Sequence, residues 1–561
     1  MLAKDLKLHL KRCEEVKNDY EDLLYDIARY VNPRRELIKD SQRYNNKGMA
    51  RGKDSYSGVP NSALSVWVDG MQGHMVSQSL NWFKSVMGLR ELNEIDEVQQ
   101  YLQYYDEAMY GEFNRSNFYS VIGEWFRDAG SIGTAPLYVE EDLRNSRAVC
   151  TPIHLREIFI SENMFGEVDT VFRKFFLTAK QAVEKWGTSK LNKNIVDCAK
   201  SNPEKKFEFI HAVFPNNNIV YGSALSEHKP IASVYMQQQG NPDDPESEIL
   251  SKSGYDINPY AIWRLRKNSD EIYGYSPAAD AMVEIKQLNQ MEKTLLQAAH
   301  MAVASPLNVP ERMRGNVRIE PNGLNYYEKG GDVITPVRTG IQFPIGLDRE
   351  EKKQRIIEDK YRVEFFLILS RSEREMTATE IMERQSEKAV LLGPQVDRLE
   401  KEGLSKVFNI IADIAEKAGR LPEPPQVLVD YVGEMQRRGT KPTTIEPVFI
   451  GPLAQAQRRL FQMQPVKNGL NELAAASVVF PDVLDKVDPD KLAEHILDST
   501  DFPQNIMRTD VELMEFRKQK MEEMQQTQAM QLAQGAADAY PNLSKAPEKG
   551  SPAEEMVNTV K

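Results

Sequence analysis

Three groups of residues in this chain have types and spacings that could do chemistry. The first is Arg371-Ser372-Glu373-Arg374-Glu375, a short run of both charge signs, followed at once by Met376-Thr377-Ala378-Thr379-Glu380. Thr377 and Glu380 have the spacing of a capping box, in which a hydroxyl and a carboxylate each satisfy a free N–H at a helix start. The pair marks a helix entry, and the run before it is a charged loop leading into that helix. The second group is Glu140-Glu141-Asp142, at the end of the apolar run Leu137-Tyr138-Val139. Carboxylates in that position can hold a metal for an ATPase or a nuclease. An ATPase of that kind needs a G-x-x-x-x-G-K-[ST] phosphate loop, and the sequence contains none. A nuclease needs a matching set of Lys or His, and none stands out, so a strand running into a solvated acidic turn accounts for the run better.

The third group is the histidines and cysteines. His9, His74, His154, His211, His228, His300 and His495 are isolated from one another, without H-E-x-x-H spacing. Cys13, Cys150 and Cys198 are scattered and odd in number, so neither a disulfide framework nor a zinc site is supported. Gly-x-Ser-x-Gly is absent as well. No catalytic residue, metal or cofactor is nominated.

The elements that must position these residues form a long chain. At 561 residues it suggests about three or four domains. The composition, 41% hydrophobic and 27% charged, is that of a folded globular protein. No apolar run approaches the roughly 20 residues of a membrane helix. The charged, amphipathic start Met1-Leu2-Ala3-Lys4-Asp5-Leu6 has no signal-peptide core, which points to synthesis and folding in a cytoplasm. A net charge of −12 argues against a tight grip on nucleic acid, which requires a basic surface. It is compatible with letting DNA slide past like-charged walls, although solubility alone explains it more simply.

Apolar periodicity predicts a long amphipathic helix over 2–32, stopped at Asn32-Pro33, then a polar loop from Arg34 to Gly58. A second helix runs from Pro60 towards Trp82-Phe83, and a third region over 95–129 is helical. From Gly130 the period changes. Residues 133–140, 158–160, 168–175, 207–213, 232–236 and 261–265 read as strands, with a short helix from Thr178 to Trp186 and a mobile loop over 237–254. Ser276-Pro277 opens a helix to Ser305, on the order of 40 Å long at 1.5 Å per residue. Residues 306–346 are Gly- and Pro-rich, with short strands at 317–319 and 331–334, and a second long helix returns over 348–369. The pattern is an arm that goes out, carries a small tip and comes back.

The helix after Thr377 crosses Gly393-Pro394, which predicts a kink or restart, and continues to Gly419. Val427-Leu428-Val429 and Pro447-Val448-Phe449-Ile450 read as strands. Helices are predicted over 453–464, 469–477 and 490–497, and from a Thr509/Glu512 capping box to about Gly535. The polar stretch 536–561 reads as disordered. The fold class is α+β, mainly helical.

Several strings, in this order, resemble the portal (head-to-tail connecting) proteins of short-tailed bacteriophages. They are Tyr30-Val31-Asn32-Pro33-Arg34, Asn61-Ser62-Ala63-Leu64 through Trp82-Phe83, and Gly133-Thr134 through Glu141-Asp142. Asp169-Thr170-Val171-Phe172-Arg173, Met376-Thr377-Ala378-Thr379-Glu380 and Gly451-Pro452-Leu453-Ala454-Gln455-Ala456-Gln457 complete the set. The resemblance implies the portal fold: a wing over 1–275, stem helices over 276–305 and 347–369, and a small β-containing clip over 306–346. It also implies a tunnel loop over 370–379, a kinked helix and wing return over 380–454, a helical crown over 455–535 and a loose tail over 536–561.

The implied function is a ring, a dodecamer in the family, at one capsid vertex, through which double-stranded DNA is packaged and ejected. Implied partners are other copies of the chain, the large terminase subunit, a tail adaptor, and the major capsid and scaffolding proteins, with no membrane. The implied location is the virion, after synthesis in the host bacterial cytoplasm. The implied channel residues are Arg371, Ser372, Glu373, Arg374, Glu375, Met376 and Thr377. There the arginines would touch phosphates while the glutamates shorten each contact. The implied clip interface holds Arg312, Arg314, Asn316, Arg318, Tyr326 and Tyr327. A non-catalytic scaffold is the alternative, though the β-rich part breaks any sustained heptad pattern. A metal-dependent nuclease or ATPase would need a clustered site that the sequence does not offer.

Overall fold

In the computed structural model, the described residues are 2–35, 52, 54–220, 225–238, 248–318, 320, 324–327, 330–331, 333–336, 343–370, 392–438, 444–452, 464–477, 486–493 and 512–527. The chain divides into two compact units, 1–472 and 473–561.

The first unit opens with two helices rather than the single one expected: α1 (Leu2–Asn18) and α2 (Glu21–Tyr30), parted by a turn at Asp19-Tyr20. The split sends their apolar faces to different places. Leu6, Leu10 and Cys13 of α1 pack with Phe172 and Met236, whereas Leu24 and Ala28 of α2 pack with Ile158, Val171 and Tyr260. Helix α3 (Val59–Met75) stops well short of Trp82. The expected helical continuation is instead strand β1 (Phe83–Met87), and the short α4 (Arg90–Asn93) follows it. The third helical region is two helices, α5 (Asp96–Arg115) and α6 (Phe118–Ile132).

The β-rich part contains two antiparallel sheets. One has the order β3-β2-β9, from Arg147–Pro152, Thr134–Asp142 and Tyr260–Arg264. The other has the order β4-β5-β6-β7-β8, from Ile158–Glu162, Val168–Thr178, Lys206–Pro215, Ile231–Gln237 and Ile249–Tyr255. Strand β8 corrects the expected loop: residues 249–255 pair in register with β7, and the remaining loop residues 239–247 lie outside the described ones. Helix α7 (Ala179–Trp186) opens with a complete Thr178/Gln181 capping box, and α8 (Lys193–Ser201) joins it against Phe209 and Leu250.

Ser276 caps the next helix through its side chain, as its Ser-Pro signal predicts. A break at Ala281 then separates α9 (Pro277–Asp280) from α10 (Met282–Val303). Two paired residues on each side form β10 (Leu307–Asn308) and β11 (Thr335–Pro336), in place of the strands expected at 317–319 and 331–334. Of those expected strand residues, Ile319 and Asp332 lie outside the described ones. The returning helix is also two, α11 (Phe343–Lys360) and α12 (Val363–Ser370), divided at Arg362 with φ +56°.

After residue 391 the chain re-enters as α13 (Gly393–Arg398), with Pro394 in its first turn. A six-residue π-helical turn, Leu399–Leu404, leads without interruption into α14 (Ser405–Lys417). A helix thus opens at Gly393-Pro394, while the residues just before Leu392 lie outside the described ones, and a second departure from α geometry follows at the π turn. Val427-Leu428-Val429 sits inside helix α15 (Gln426–Arg437), where Leu428 packs with Leu92 and Val98, so the expected strand is corrected to a helix. Strand β12 (Ile445–Phe449) returns to pair with β1. Helix α16 (Gln464–Ser477) crosses the boundary between the two units. In the second unit, 489–493 and 512–527 are helical, and Arg517 pairs with Asp490 at 2.5 Å. The predicted helix over 453–464 and the tail over 536–561 fall almost wholly outside the described residues.

The main core lies around α6. Ile122, Trp125, Phe126 and Ala129 are fully buried against Trp67, Trp263 and Phe118. Each large side chain taken from water there stabilises the fold by roughly 1.5–3 kcal/mol. Ile285 and Leu288 of α10, Ile357 of α11 and Tyr361 just after it enter the same core.

Candidate functional site

Residues 371–391, which include Arg371, Ser372, Glu373, Arg374, Glu375, Met376 and Thr377, lie outside the described residues. Their two flanks do not. On the entering side, Phe365 and Phe366 of α12 are buried, and Gly70 of α3 makes room for Phe366: a Cβ at residue 70 would sit 2.1 Å from that ring. On the leaving side, Leu392, Val396 and Leu399 are buried in the same core as Phe366.

A buried ionic cluster holds the leaving flank. Arg264, at the end of β9, has a side chain only 2% exposed. Its backbone N and Nε donate to Glu402 Oε2 at 3.2 and 3.1 Å, and its Nη2 donates to Glu402 Oε1 at 2.8 Å. Its Nη1 pairs with Glu162, which Lys267 also contacts at 2.7 Å. Arg398 donates to the same Glu402 at 2.6 Å. Two residues along, Arg266 pairs with Asp280 at 2.6 Å and faces the amide of Gln395. Burying a charge without a partner is costly, and here each cation has a carboxylate partner, with Arg264, Lys267 and Arg398 sharing Glu162 and Glu402. Arg264 was the one sequence signal for this cluster, a cation inside the apolar run Ala261-Ile262-Trp263-Arg264-Leu265. Glu402, in Leu399-Glu400-Lys401-Glu402, looks like an ordinary surface-helix residue.

Two further ionic ties join residues that look like surface charges in the sequence. Arg35 donates to both oxygens of Asp128 at 2.8 Å, and burial pushes that carboxyl up to about 6 despite the guanidinium. Arg420 grips Glu112 with paired bonds of 2.8 and 2.9 Å, fastening the end of α14 to α5.

The arm is built by α10 packed against α11. Tyr361 donates to the Gly130 carbonyl at 3.2 Å at its base, and Lys353 reaches Glu284 across the two helices at 4.0 Å. Farther out, Glu292 lies against Glu350, and the carboxyl of Glu292 is raised by burial and by that neighbour. Beyond β10 and β11, Arg312, Arg314, Asn316 and Arg318 are exposed. Asn325 clamps Arg318 with two bonds, accepting from its N–H at 2.8 Å and donating to its carbonyl at 2.9 Å. The clamp brings Arg318 beside Tyr326 and Tyr327, which are 84% and 62% exposed. Turn bonds tie Arg314 and Asn316 to Glu311 and Met313.

The acidic run Glu140-Glu141-Asp142 is the end of β2, and Asp142 accepts from the N–H of Arg144 and the side chain of Asn145. It is a local turn. His211 is buried between Tyr260 Oη at 2.8 Å and Ser233 Oγ at 2.9 Å, stacked on Tyr235. The serine is fully buried, so this Ser–His contact has no access to a substrate. Among the described residues, no three His, Cys, Asp or Glu side chains converge as metal ligands, and no helix is long and apolar enough to cross a membrane.

Comparison with known proteins finds relatives that match most of the chain. The chain is 26% identical over 549 residues to the portal protein of Salmonella phage epsilon15, covering 96% of this chain and 95% of that one. It is 26% identical over 552 residues to the probable portal protein of Bordetella phage BPP-1, with the same coverages. Residues 3–507 match the family described as bacteriophage head to tail connecting protein, and the chain therefore belongs to that family.

Proposed function

We propose that copies of this chain close into a ring, a dodecamer as the resemblance implies, at one vertex of a phage capsid. Double-stranded DNA passes through its bore during packaging and ejection. The observation that carries this proposal is the arm: α10 and α11 lie side by side, rooted in the main core and carrying a small β tip. Such an arm can stand beside its copies around an axis and leave the tip free at one end. In this reading 276–305 and 347–369 are the stem, 306–346 the clip, and 1–275 with the chain returning after 380 the wing. The segment from about 455 to 535 forms the crown.

The tip is the docking surface for the large terminase subunit and later for a tail adaptor. Exposed Tyr326 and Tyr327, with the exposed Arg312, Arg314 and Arg318 of the same segment, are residue types that dominate binding energy at protein interfaces. Residues 370–379 form the loop facing DNA, with both flanks anchored in the core. The family role is structural, and the work of translocation falls to a separate terminase. The chain acts in the virion after synthesis in the host cytoplasm, and the capsid and scaffolding proteins surround it.

The test of the channel assignment is a double reversal, Arg371→Glu with Arg374→Glu, in a phage that depends on this protein. Ring assembly is expected to persist while DNA filling or retention falls. Normal filling and retention would remove those residues from the bore.

A further inference from the structure

We propose that the π turn at Leu399–Leu404 is a one-residue register switch, held in its wide form by the bonds between Arg264 and Glu402. The inference does not depend on what passes through the ring, and its failure would leave the channel proposal untouched.

A π turn holds one residue more than an α turn, and such turns are frequent at functional sites. Passing the extra residue to the start of the helix at Gly393 would turn α13 by roughly 100° and slide it by roughly 1.5 Å. The two sides of the turn are unequally anchored. Downstream, Val407, Phe408 and Ile411 are buried in the main core, and Arg420 on Glu112 closes the end. Upstream, α13 has only six residues, held by Val396, by the buried Leu392 just before it and by Gln395 facing Arg266. The upstream side is therefore the one that moves.

Glu402 has two possible masters. Three bonds tie it to Arg264 on the sheet, and one ties it to Arg398 four residues back on its own helix. Held by Arg264, the carboxylate is fixed to β9 and the turn stays wide. Released, it keeps Arg398 as its partner and travels with the helix. Gly403 sets the wall against which this happens, because a Cβ there would lie 2.7 Å from the Trp125 ring. A larger residue would push the turn away from α6 and strain its bonds to Arg264.

Hydrogen exchange read by mass spectrometry on the assembled full-length protein, without DNA, tests the switch. The variants are Glu402→Gln, and Arg264→Met combined with Glu402→Met, which removes both charges together and so leaves neither of the two stranded. The expected result is at least tenfold faster exchange over 395–404 in both, with 405–417 unchanged. Unchanged exchange over 395–404 in the double variant would overturn the switch. So would equal acceleration of both segments or loss of the fold, since Arg264 would then be holding the whole structure rather than a register.

Discussion

Glu112 and Arg420 show how much a single buried pair can hold. Their side chains are 5% and 16% exposed, and their two parallel bonds join α14 to α5. Glu112→Ala leaves the guanidinium buried without its partner, which costs on the order of 3–5 kcal/mol. A fall in the urea midpoint of the purified protein would measure it, and a change under about 1 kcal/mol would mean that water replaces the carboxylate. Titrating groups act with opposite signs. Asp106 accepts from the Ser85 N–H, and burial pushes its carboxyl up from 3.8 to about 6. The folded protein therefore carries a cost above about pH 6 that is absent below about pH 4. Asp106→Asn should stabilise by about 1–3 kcal/mol at pH 7.5 and leave stability unchanged at pH 4.

His211 runs the other way. Burial, with Lys185 and Arg173 nearby, holds it well below its usual range, so the folded chain declines a proton that the unfolded chain binds. Stability is full above about pH 6.5 and falls by up to about 1.4 kcal/mol per pH unit as pH drops below that. Denaturation midpoints at pH 5.0 and 7.5 check this. His211→Gln should flatten the slope in part, because His154 is depressed by burial in the same way.

At the scale of elements, local signals were readable where local chemistry decided the outcome. Thr178 and Gln181 form the box that opens α7, Ser276 caps α9, and the β-branched and aromatic runs at 168–175 and 207–213 are β5 and β6. Distant partners were not readable. Phe83–Met87 continues a helical-looking stretch, yet it is a strand because Ile445–Phe449 pairs with it from more than three hundred residues away. The edge strand β8 buries only Leu250 and follows it with Ser251, Lys252, Ser253 and Gly254, so it reads as polar loop. Val427-Leu428-Val429 has strand propensity, but burying Leu428 against Leu92 and Val98 makes it helix. The proposed tip and loop residues were nominated from the sequence, whereas Glu402, Asp128 and Glu112 look like surface charges until their partners are known.

Close approach of elements gives a test at this scale. Gly70→Ala puts a methyl into the Phe366 ring, and displacing that ring from α3 should destabilise by about 1–3 kcal/mol. Calorimetry would read the loss as a lowered Tm, and an unchanged Tm would show that α12 can yield without penalty. Asn325→Ala removes both bonds that clamp Arg318 beside the tyrosines. It should leave Tm unchanged and raise hydrogen exchange in the peptide around Arg318; unchanged exchange would mean the loop is held by other contacts.

For the whole molecule, family membership and the arm lead to the same arrangement. In the proposed ring, many copies would stand together with their wings outward and their paired helices about a common axis. The net charge of −12 per chain fits a bore that does not hold DNA fast. Two long helices around a compact tip were visible in the apolar stripes of 282–301 and 348–369, while the breaks at Ala281 and Arg362 were not, since each depends on what the flanking turn packs against. Everything proposed about DNA and docking requires closed self-association. The most direct measurement is electron microscopy of the purified full-length protein, paired with its native mass. Closed rings with a central hole, at a mass that is a whole multiple of 64.1 kDa near twelve, are the predicted result. Monomers or open chains of variable length, under conditions where the protein remains folded, would contradict it.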